Sequence, residues 1–121
     1  MTKESLVVNR LRSIGYAFRG ALLLLRSEPS IQIQMGLAVL MTVLGVVMDI
    51  SATEWMFQIT AIAMVMGVEG LNTAVEKLCD FVHPGHEPKI GLIKDVAAGA
   101  VMLVSIGAVL IGAIIYLPKF F

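Results

Sequence analysis

The chain has 121 residues, of which 58% are hydrophobic and 15% are charged, and its mean hydropathy is +0.89. Soluble domains are about half apolar and about a quarter charged, so this composition indicates a membrane protein in which residues 1–121 form a single domain. The formal net charge of zero suggests no polyanion-binding surface, and we expect no nucleic-acid partner. The single cysteine, Cys79, excludes an intrachain disulfide and a cysteine-based zinc site.

Residues 5–27 predict an amphipathic surface helix. Apolar residues recur there at steps of three and four, beginning at Leu6 and ending at Leu25, while four arginines lie mostly off that face. This arrangement is typical of a helix that lies at the membrane interface. Glu28 and Pro29 then form a corner before the first span. Glu28 can be a functional carboxylate or only a helix-start residue that faces the helix dipole, and both interpretations stay open at this point.

Three membrane helices are predicted over residues 31–48, 55–79 and 95–117, which makes the fold an all-α membrane protein with a surface helix. The second span opens at Trp55, an expected interfacial residue. We expect a loop over residues 80–94, because it contains four residues that break helices: Pro84, Gly85, Pro88 and Gly91. The third span is expected to end at Pro118.

Basic residues predict the orientation of this multi-pass protein. The N-terminal segment and residues 77–94 hold eight of the nine Lys and Arg residues, whereas residues 49–54 hold none. The positive-inside rule therefore places the N-terminus and the 80–94 loop in the cytoplasm. Three spans in so short a chain leave few buried faces, so we also expect an oligomer.

A polar stripe runs along the end of the second span. Glu69, Asn72, Glu76 and Asp80 fall within about 60° of one another on an α-helix. Glu69 lies about 21 Å along the helix from Trp55, still inside the hydrocarbon core, where a carboxylate is by default a functional candidate. The residues nearer water, Glu76 and Asp80, are hard oxygen ligands of the kind that Mg²⁺ prefers. The stripe can therefore join a lipid substrate to a water-soluble one.

Lys94 and Asp95 stand at the entry to the third span. Lys94 can neutralise phosphate oxygens, although a lysine beside a helix-start acid can also be a simple interfacial pair. The acidic stripe favours the functional interpretation.

Two classes of function fit these residues: a lipid kinase, and an oligomer that conducts ions or protons with Glu69 as its intramembrane site. A conducting path needs polar residues across the outer half of the second span, where the sequence has only Gln58 and Thr60. The acids continue instead toward the predicted cytoplasmic side, which favours the kinase. A purely structural membrane subunit would leave the aligned acids unexplained.

The motif EGLNTAVEKLCD at residues 69–80 resembles the signature E-x-[hydrophobic]-N-[ST]-A-[hydrophobic]-E-x-x-x-D of the prokaryotic diacylglycerol kinase family, which also includes undecaprenol kinases. Lys94 and Asp95 stand at the family's spacing after Asp80, and Gly15, Tyr16, Gly20 and Glu28 also match. The resemblance implies a homotrimeric kinase of the bacterial inner membrane, with composite sites between subunits, ATP as co-substrate and no P-loop.

The resemblance also implies a role for each matching residue. Glu69 is then the general base on the lipid hydroxyl, Asn72 positions the reacting groups and Lys94 contacts phosphate. Glu28 and Glu76 hold the Mg²⁺ that accompanies ATP. The remaining members of the nucleotide site are Tyr16, Asp80, Gly85, His86, Glu87 and Asp95, and the lipid contacts besides Glu69 are Arg10 and Ala98.

The acceptor is either diacylglycerol, giving phosphatidic acid, or undecaprenol, giving undecaprenyl phosphate. Both lipids present a primary hydroxyl just below the headgroups. Residues 94–101, with the sequence KDVAAGAV, look more like the undecaprenol kinases, but the likeness is local and both acceptors stay open.

Overall fold

The structure, a computed structural model, describes residues 3–121 and the side chains of residues 5–121. Four helices follow one another along the chain: α1 (Lys3–Ser27), α2 (Pro29–Val47), α3 (Ala52–Val82) and α4 (Pro88–Phe120). The last three are long and apolar enough to cross a membrane, and residues 3–121 contain no strand. The predicted all-α membrane fold, with an N-terminal helix before three membrane helices, is confirmed.

The corner between α1 and α2 is fixed by hydrogen bonds around Glu28. The backbone of Glu28 is extended (φ −105°, ψ 112°), and Pro29 occupies the first turn of α2, where its missing N–H is not needed. The Gln32 amide donates to the carbonyls of Leu25 (3.2 Å) and Arg26 (3.1 Å). These carbonyls belong to the last turn of α1 and have no partner within their own helix. The corner therefore holds Glu28 at a defined place.

Most of α1 remains uncovered by the rest of the subunit. Its apolar residues are largely exposed, including Leu11 (63%), Ile14 (55%) and Phe18 (69%). Close to the corner, α1 does reach α3: a Cβ on Gly70 would lie 3.0 Å from Cδ1 of Leu24. An exposed apolar face of this kind agrees with the expected position at a lipid interface.

The turn between α2 and α3 is tightly organised. Asp49 has a left-handed backbone (φ 52°), which Asp tolerates better than most residues. Ser51 and Glu54 form a capping box at the start of α3, with distances of 3.1 Å from the Glu54 N–H to the Ser51 hydroxyl and 2.9 Å from the Ser51 N–H to the Glu54 carboxylate. Ile50 packs with Ile115 and Tyr116 of α4 in a small core that Trp55 also contacts.

Polar groups connect the three membrane helices near this turn. The Gln58 amide donates to the Met41 carbonyl (2.9 Å), and the Tyr116 hydroxyl donates to the Gln58 side-chain oxygen (2.6 Å). Lys119, near the end of α4, forms an ion pair with Glu54 (3.2 Å). This end of the bundle is therefore held by side-chain bonds among α2, α3 and α4.

The loop predicted over residues 80–94 is wrong in its extent. α3 continues to Val82 and α4 already begins at Pro88, so the connection spans residues 83–87. Proline in a first helical turn loses no hydrogen bond, and the Glu87 side chain accepts from the Lys89 N–H (3.4 Å) at this helix start. Gly91 lies inside the first turns of α4, where its N–H bonds to the Glu87 carbonyl (2.9 Å).

The end predicted for the third span at Pro118 is also wrong, because α4 continues to Phe120. A proline in the last turn of a helix removes a single hydrogen bond near the chain end, so the helix passes through it at small cost.

An apolar cleft of about 380 Å³ opens between α2 and α4, with α3 along its base. Of the three membrane helices, α3 packs mainly against α4, and α2 contacts α3 less closely, which leaves the cleft between them. Its walls are almost entirely aliphatic, apart from Gln34, Gln58 and Ser105.

Candidate active site

The polar stripe predicted on α3 shows a gradient of burial along its length. Glu69 is buried with 8% of its surface exposed, Asn72 is partly buried, and Glu76 and Asp80 are exposed. Burial therefore falls along the helix from the first carboxylate to the last two acids. The stripe therefore has one end suited to a lipid and another suited to a solute in water.

Asn72 connects the buried and exposed halves of the stripe. Its side-chain N–H donates to Oε1 of Glu76, one turn further along α3, at 3.3 Å. Its carbonyl oxygen, Oδ1, is buried and has no hydrogen-bond partner among the described residues. Buried polar atoms are normally paired, so an unused acceptor beside Glu69 is a position where a hydroxyl can donate.

At the water end, Lys94 of α4 forms a hydrogen-bonded ion pair with Asp80 of α3. Its Nζ lies 2.6 Å from Oδ1 of Asp80, and 37% of the Lys94 side chain is exposed. Asp95 follows on the exposed surface of α4. The structure thus brings Lys94 and Asp80 together and places a cation at the exposed end of the stripe.

Glu28 reaches α3 through a residue that sequence reasoning missed. Glu28 is the N-cap residue of α2, yet its side chain makes no capping hydrogen bond. Its Oε1 instead lies 3.2 Å from Nζ of Lys77, the residue after Glu76. Glu28 does stand at the start of α2, so its interpretation as a helix-start carboxylate that faces the helix dipole stays open beside the functional one. Lys77 is the one basic residue in the motif at residues 69–80, and that was the available signal for it.

The carboxylates of the site do not form a preassembled metal centre. Among residues 5–121, no group of three or more Asp, Glu, His or Cys side chains is arranged to hold a metal ion. Mg²⁺ is commonly bound by one or two carboxylates together with substrate phosphates. Glu28 and Glu76 are hard oxygen donors on adjoining elements, so they fit an ion that arrives with a nucleotide.

The connection over residues 83–87 lies between the ends of the two helices that carry Asp80 and Lys94. Gly85 and His86 are exposed, and the Gly85 carbonyl lies 3.0 Å from Nδ1 of His83. Glu87 serves as the N-cap residue of α4. These residues border the exposed end of the stripe without contacting it through any hydrogen bond in the described chain.

Three predicted site residues lie apart from these hydrogen-bonded pairs. Tyr16 is 63% exposed on α1, with the guanidinium of Arg19 lying 5.7 Å from its ring centroid. Arg10 is exposed on α1 and Ala98 is exposed on α4. In the part of the chain that the structure describes, no hydrogen bond or ion pair joins these three residues to the stripe.

The apolar cleft approaches the buried end of the stripe. Val65 and Met66, which line it, lie about one helical turn before Glu69 on α3. Gln34 and Ser105 line the cleft from α2 and α4. The cleft thus lies about one helical turn from Glu69, in the apolar part of the bundle.

Comparisons with known proteins show the family to which the chain belongs. A family model described as prokaryotic diacylglycerol kinase matches residues 15–116. The chain is similar to an undecaprenol kinase of Bacillus subtilis, 33% identical over 108 residues that cover 89% of this chain and 88% of the relative. It is also similar to a diacylglycerol kinase of Escherichia coli, 29% identical over 111 residues that cover 91% and 90% of the two chains. The chain belongs to the prokaryotic diacylglycerol kinase family.

Proposed function

We propose that this lipid kinase transfers the γ-phosphoryl group of ATP to the hydroxyl of a membrane lipid alcohol at the α3 stripe. The burial gradient from Glu69 to Asp80 is the observation that carries the proposal. It provides, on one helix, an apolar setting for a lipid hydroxyl and an exposed setting for a nucleotide. The alternative of an ion- or proton-conducting oligomer receives no support from the family match.

In the proposed reaction, the lipid oxygen forms a bond to the γ-phosphorus while the bond from that phosphorus to the β–γ bridging oxygen breaks, and ADP leaves. Glu69 accepts the hydroxyl proton as general base. The unpartnered Oδ1 of Asn72 can accept a hydrogen bond from the same hydroxyl before transfer and so orient it. Phosphoryl transfer depends mainly on such positioning and on charge neutralisation.

The exposed half of the stripe binds the nucleotide in this proposal. Lys94, held at Asp80 in this structure, contacts the phosphates, and Asp80 and Asp95 line the nucleotide site. Glu28 and Glu76 hold Mg²⁺, which neutralises phosphate charge when it is bound. Further nucleotide contacts come from residues that the family motif implies: Tyr16, Gly85, His86 and Glu87.

Two expectations concern the assembly and its membrane. The protein is proposed to lie in the bacterial inner membrane with its N-terminus in the cytoplasm, where ATP is available. A homotrimer is proposed on the family resemblance, and the exposed apolar side chains of α2, α3 and α4 leave surface for lipid and for other subunits. Tyr16, Arg10 and Ala98 are proposed, on the same resemblance, to complete the composite sites between subunits.

We propose undecaprenol as the preferred acceptor and diacylglycerol as the second candidate. Residues 94–101 look more like the undecaprenol kinases, and one similar relative carries that name. The aliphatic cleft beside Glu69 offers a place for the hydrocarbon chain of either lipid.

The test is a direct comparison of the two lipids. Purified protein in mixed micelles receives γ-labelled ATP and either undecaprenol or diacylglycerol at equal surface concentration. We expect labelled undecaprenyl phosphate to form faster than labelled phosphatidic acid. The reverse ratio would assign diacylglycerol as the acceptor, and no labelled lipid from either would contradict the proposed reaction.

A further inference from the structure

We propose that Lys77 occupies the Glu28 carboxylate in the nucleotide-free protein and gives it up to the divalent metal that accompanies ATP. The inference rests on the proposed function, since it assigns Glu28 to that metal. It adds a residue to the site and a competition between two cations for one carboxylate.

The first support is the conformation of Glu28. Its backbone is fixed at the α1–α2 corner, where its N–H bonds to the Leu24 carbonyl (3.1 Å) and Gln32 ties down the end of α1. Its carboxylate does not turn back to cap α2. It forms an ion pair with Lys77 on α3 instead, so the carboxylate is available to a cation from that side.

The second support is the place of Lys77 on α3. It follows Glu76 directly and lies about one helical turn after Thr73. The ion pair therefore joins the Glu28 carboxylate to the residue next to Glu76, the second proposed metal ligand.

The third support is the difference in exposure between the two partners. The Glu28 side chain is 20% exposed, whereas that of Lys77 is 65% exposed. Exposed ion pairs contribute little to stability, so Lys77 can move into water with small loss when a cation of higher charge arrives. Glu28, the sheltered partner, stays in place.

The ion pair of Lys119 with Glu54 shows what a structural pair looks like in the same chain. Both side chains are 27% exposed, and Glu54 also belongs to the capping box of α3. It lies at the opposite end of the bundle from the stripe. Lys119 therefore provides a control with the same change of charge and no expected effect on metal binding.

The competition predicts a graded series at position 77. Lys77→Met removes the competing cation, so metal binding should tighten by about threefold to fivefold, the scale of a solvent-exposed ion pair. Lys77→Arg offers a planar fork that grips a carboxylate more firmly, so metal binding should weaken. A merely structural role of Lys77 predicts that Arg behaves like Lys.

The experiment measures Mn²⁺ binding to the purified full-length protein by the electron paramagnetic resonance signal of free Mn²⁺. It is done with and without β,γ-methylene ATP, which cannot transfer its terminal phosphoryl group. The proteins are the wild type, Lys77→Met, Lys77→Gln, Lys77→Arg and Lys119→Met, each checked by thermal unfolding. We expect Lys77→Met and Lys77→Gln to bind Mn²⁺ more tightly than the wild type, and Lys77→Arg to bind it more weakly. Lys119→Met should bind Mn²⁺ with the affinity of the wild type.

A double variant separates competition at Glu28 from a general charge effect. If Lys77 acts through Glu28, Lys77→Met should no longer change Mn²⁺ affinity in a Glu28→Gln background. An equal gain in both backgrounds would overturn the inference, as would equal affinities of Lys77→Met and the wild type. Absence of any Mn²⁺–nucleotide binding by the wild type would instead contradict the proposed function, and the inference would fall with it.

Discussion

Glu69 carries the largest share of the chemistry that we assign to single residues. Among the side chains of residues 5–121 it is the one charged group that is buried, and it begins a stripe whose later acids are exposed. A buried carboxylate in a membrane helix is expensive to maintain. Its presence beside the unpartnered Asn72 Oδ1 is best explained by a role in the reaction.

Replacing Glu69 with Gln keeps the shape of the side chain and removes the base. We expect kinase turnover to fall by about 10²-fold or more, which is the scale of lost general base catalysis. Rates with labelled ATP and lipid, measured at saturating substrates, check this. The variant should still purify as the same oligomer as the wild type. Near-normal turnover would remove Glu69 from the mechanism.

Glu28 and Glu76 are assigned to the metal on the chemistry of their carboxylates. Glu28→Gln should raise the Mg²⁺ concentration needed for half-maximal activity as well as lower the rate, because an amide is a weaker ligand for a hard cation. A Mg²⁺ titration of the two proteins measures the change. An unchanged titration would reduce Glu28 to a corner residue of α2.

At the scale of the helices, the bundle is held most firmly at the end opposite the exposed half of the stripe. Gln58, Tyr116 and the Met41 carbonyl connect three helices by hydrogen bonds, and Lys119 adds an ion pair to Glu54. Hydrogen bonds between membrane helices contribute on average about 0.6 kcal/mol each. The end that carries Asp80 and Lys94 is tied by exposed pairs, which can open to admit a nucleotide.

Gly45 of α2 permits the close approach of Trp55 at the end of the bundle that contains Gln58 and Tyr116. A Cβ at this position would lie 2.7 Å from Cη2 of Trp55 and 3.1 Å from Cδ1 of Ile50. Gly45→Ala should therefore destabilise the protein by about 1–3 kcal/mol, the usual cost of overpacking. Thermal unfolding in detergent measures it.

Gly36, in the same helix, is the matched control, because nothing lies within 4 Å of a Cβ placed there. Gly36→Ala should leave the unfolding temperature unchanged or raise it slightly, since Ala favours a helix over Gly. Equal unfolding temperatures for Gly45→Ala and the wild type would contradict the packing described for Trp55.

The sequence predicts the helical elements well and their connections less well. Apolar runs of membrane length identify α2, α3 and α4, and the step of three and four residues places Glu69, Asn72, Glu76 and Asp80 on one face. Helix ends depend on local capping: Pro88 starts α4, although the same residue suggested a loop. A proline is tolerated in the first turn of a helix and disrupts its interior. The positions of Pro and Gly along the sequence do not show which of these two cases applies.

Contacts between distant residues could not be predicted from the sequence. Two such contacts join residues that are far apart along the chain: the ion pair of Glu28 with Lys77, and the hydrogen bond of Tyr116 with Gln58. Periodicity states which residues share a face of one helix, and it does not state which faces meet. The roles of Glu28 and Lys94 were predicted from the family motif, whereas the stripe was predicted from helical periodicity alone.

The whole molecule combines an uncovered amphipathic α1, three membrane helices and a site that runs from an apolar cleft to an exposed helix connection. The confirmed parts of this description are the helical membrane fold, the family and the lipid kinase activity that the family implies. We propose that the α3 stripe crosses the membrane boundary on the side where ATP is supplied. Position 86, in the connection, should then meet water, and position 64, inside the apolar part of α3, should not.

Sidedness of position 86 tests this claim most directly. His86→Cys and Met64→Cys are made separately in a Cys79→Ala background, and an impermeant maleimide is applied to each side of sealed vesicles in turn. We predict labelling of position 86 only from the side on which added ATP supports turnover, protection by Mg²⁺ with ATP, and no labelling of position 64. Labelling of position 86 from the opposite side would contradict the assignment of the stripe's exposed end to the nucleotide.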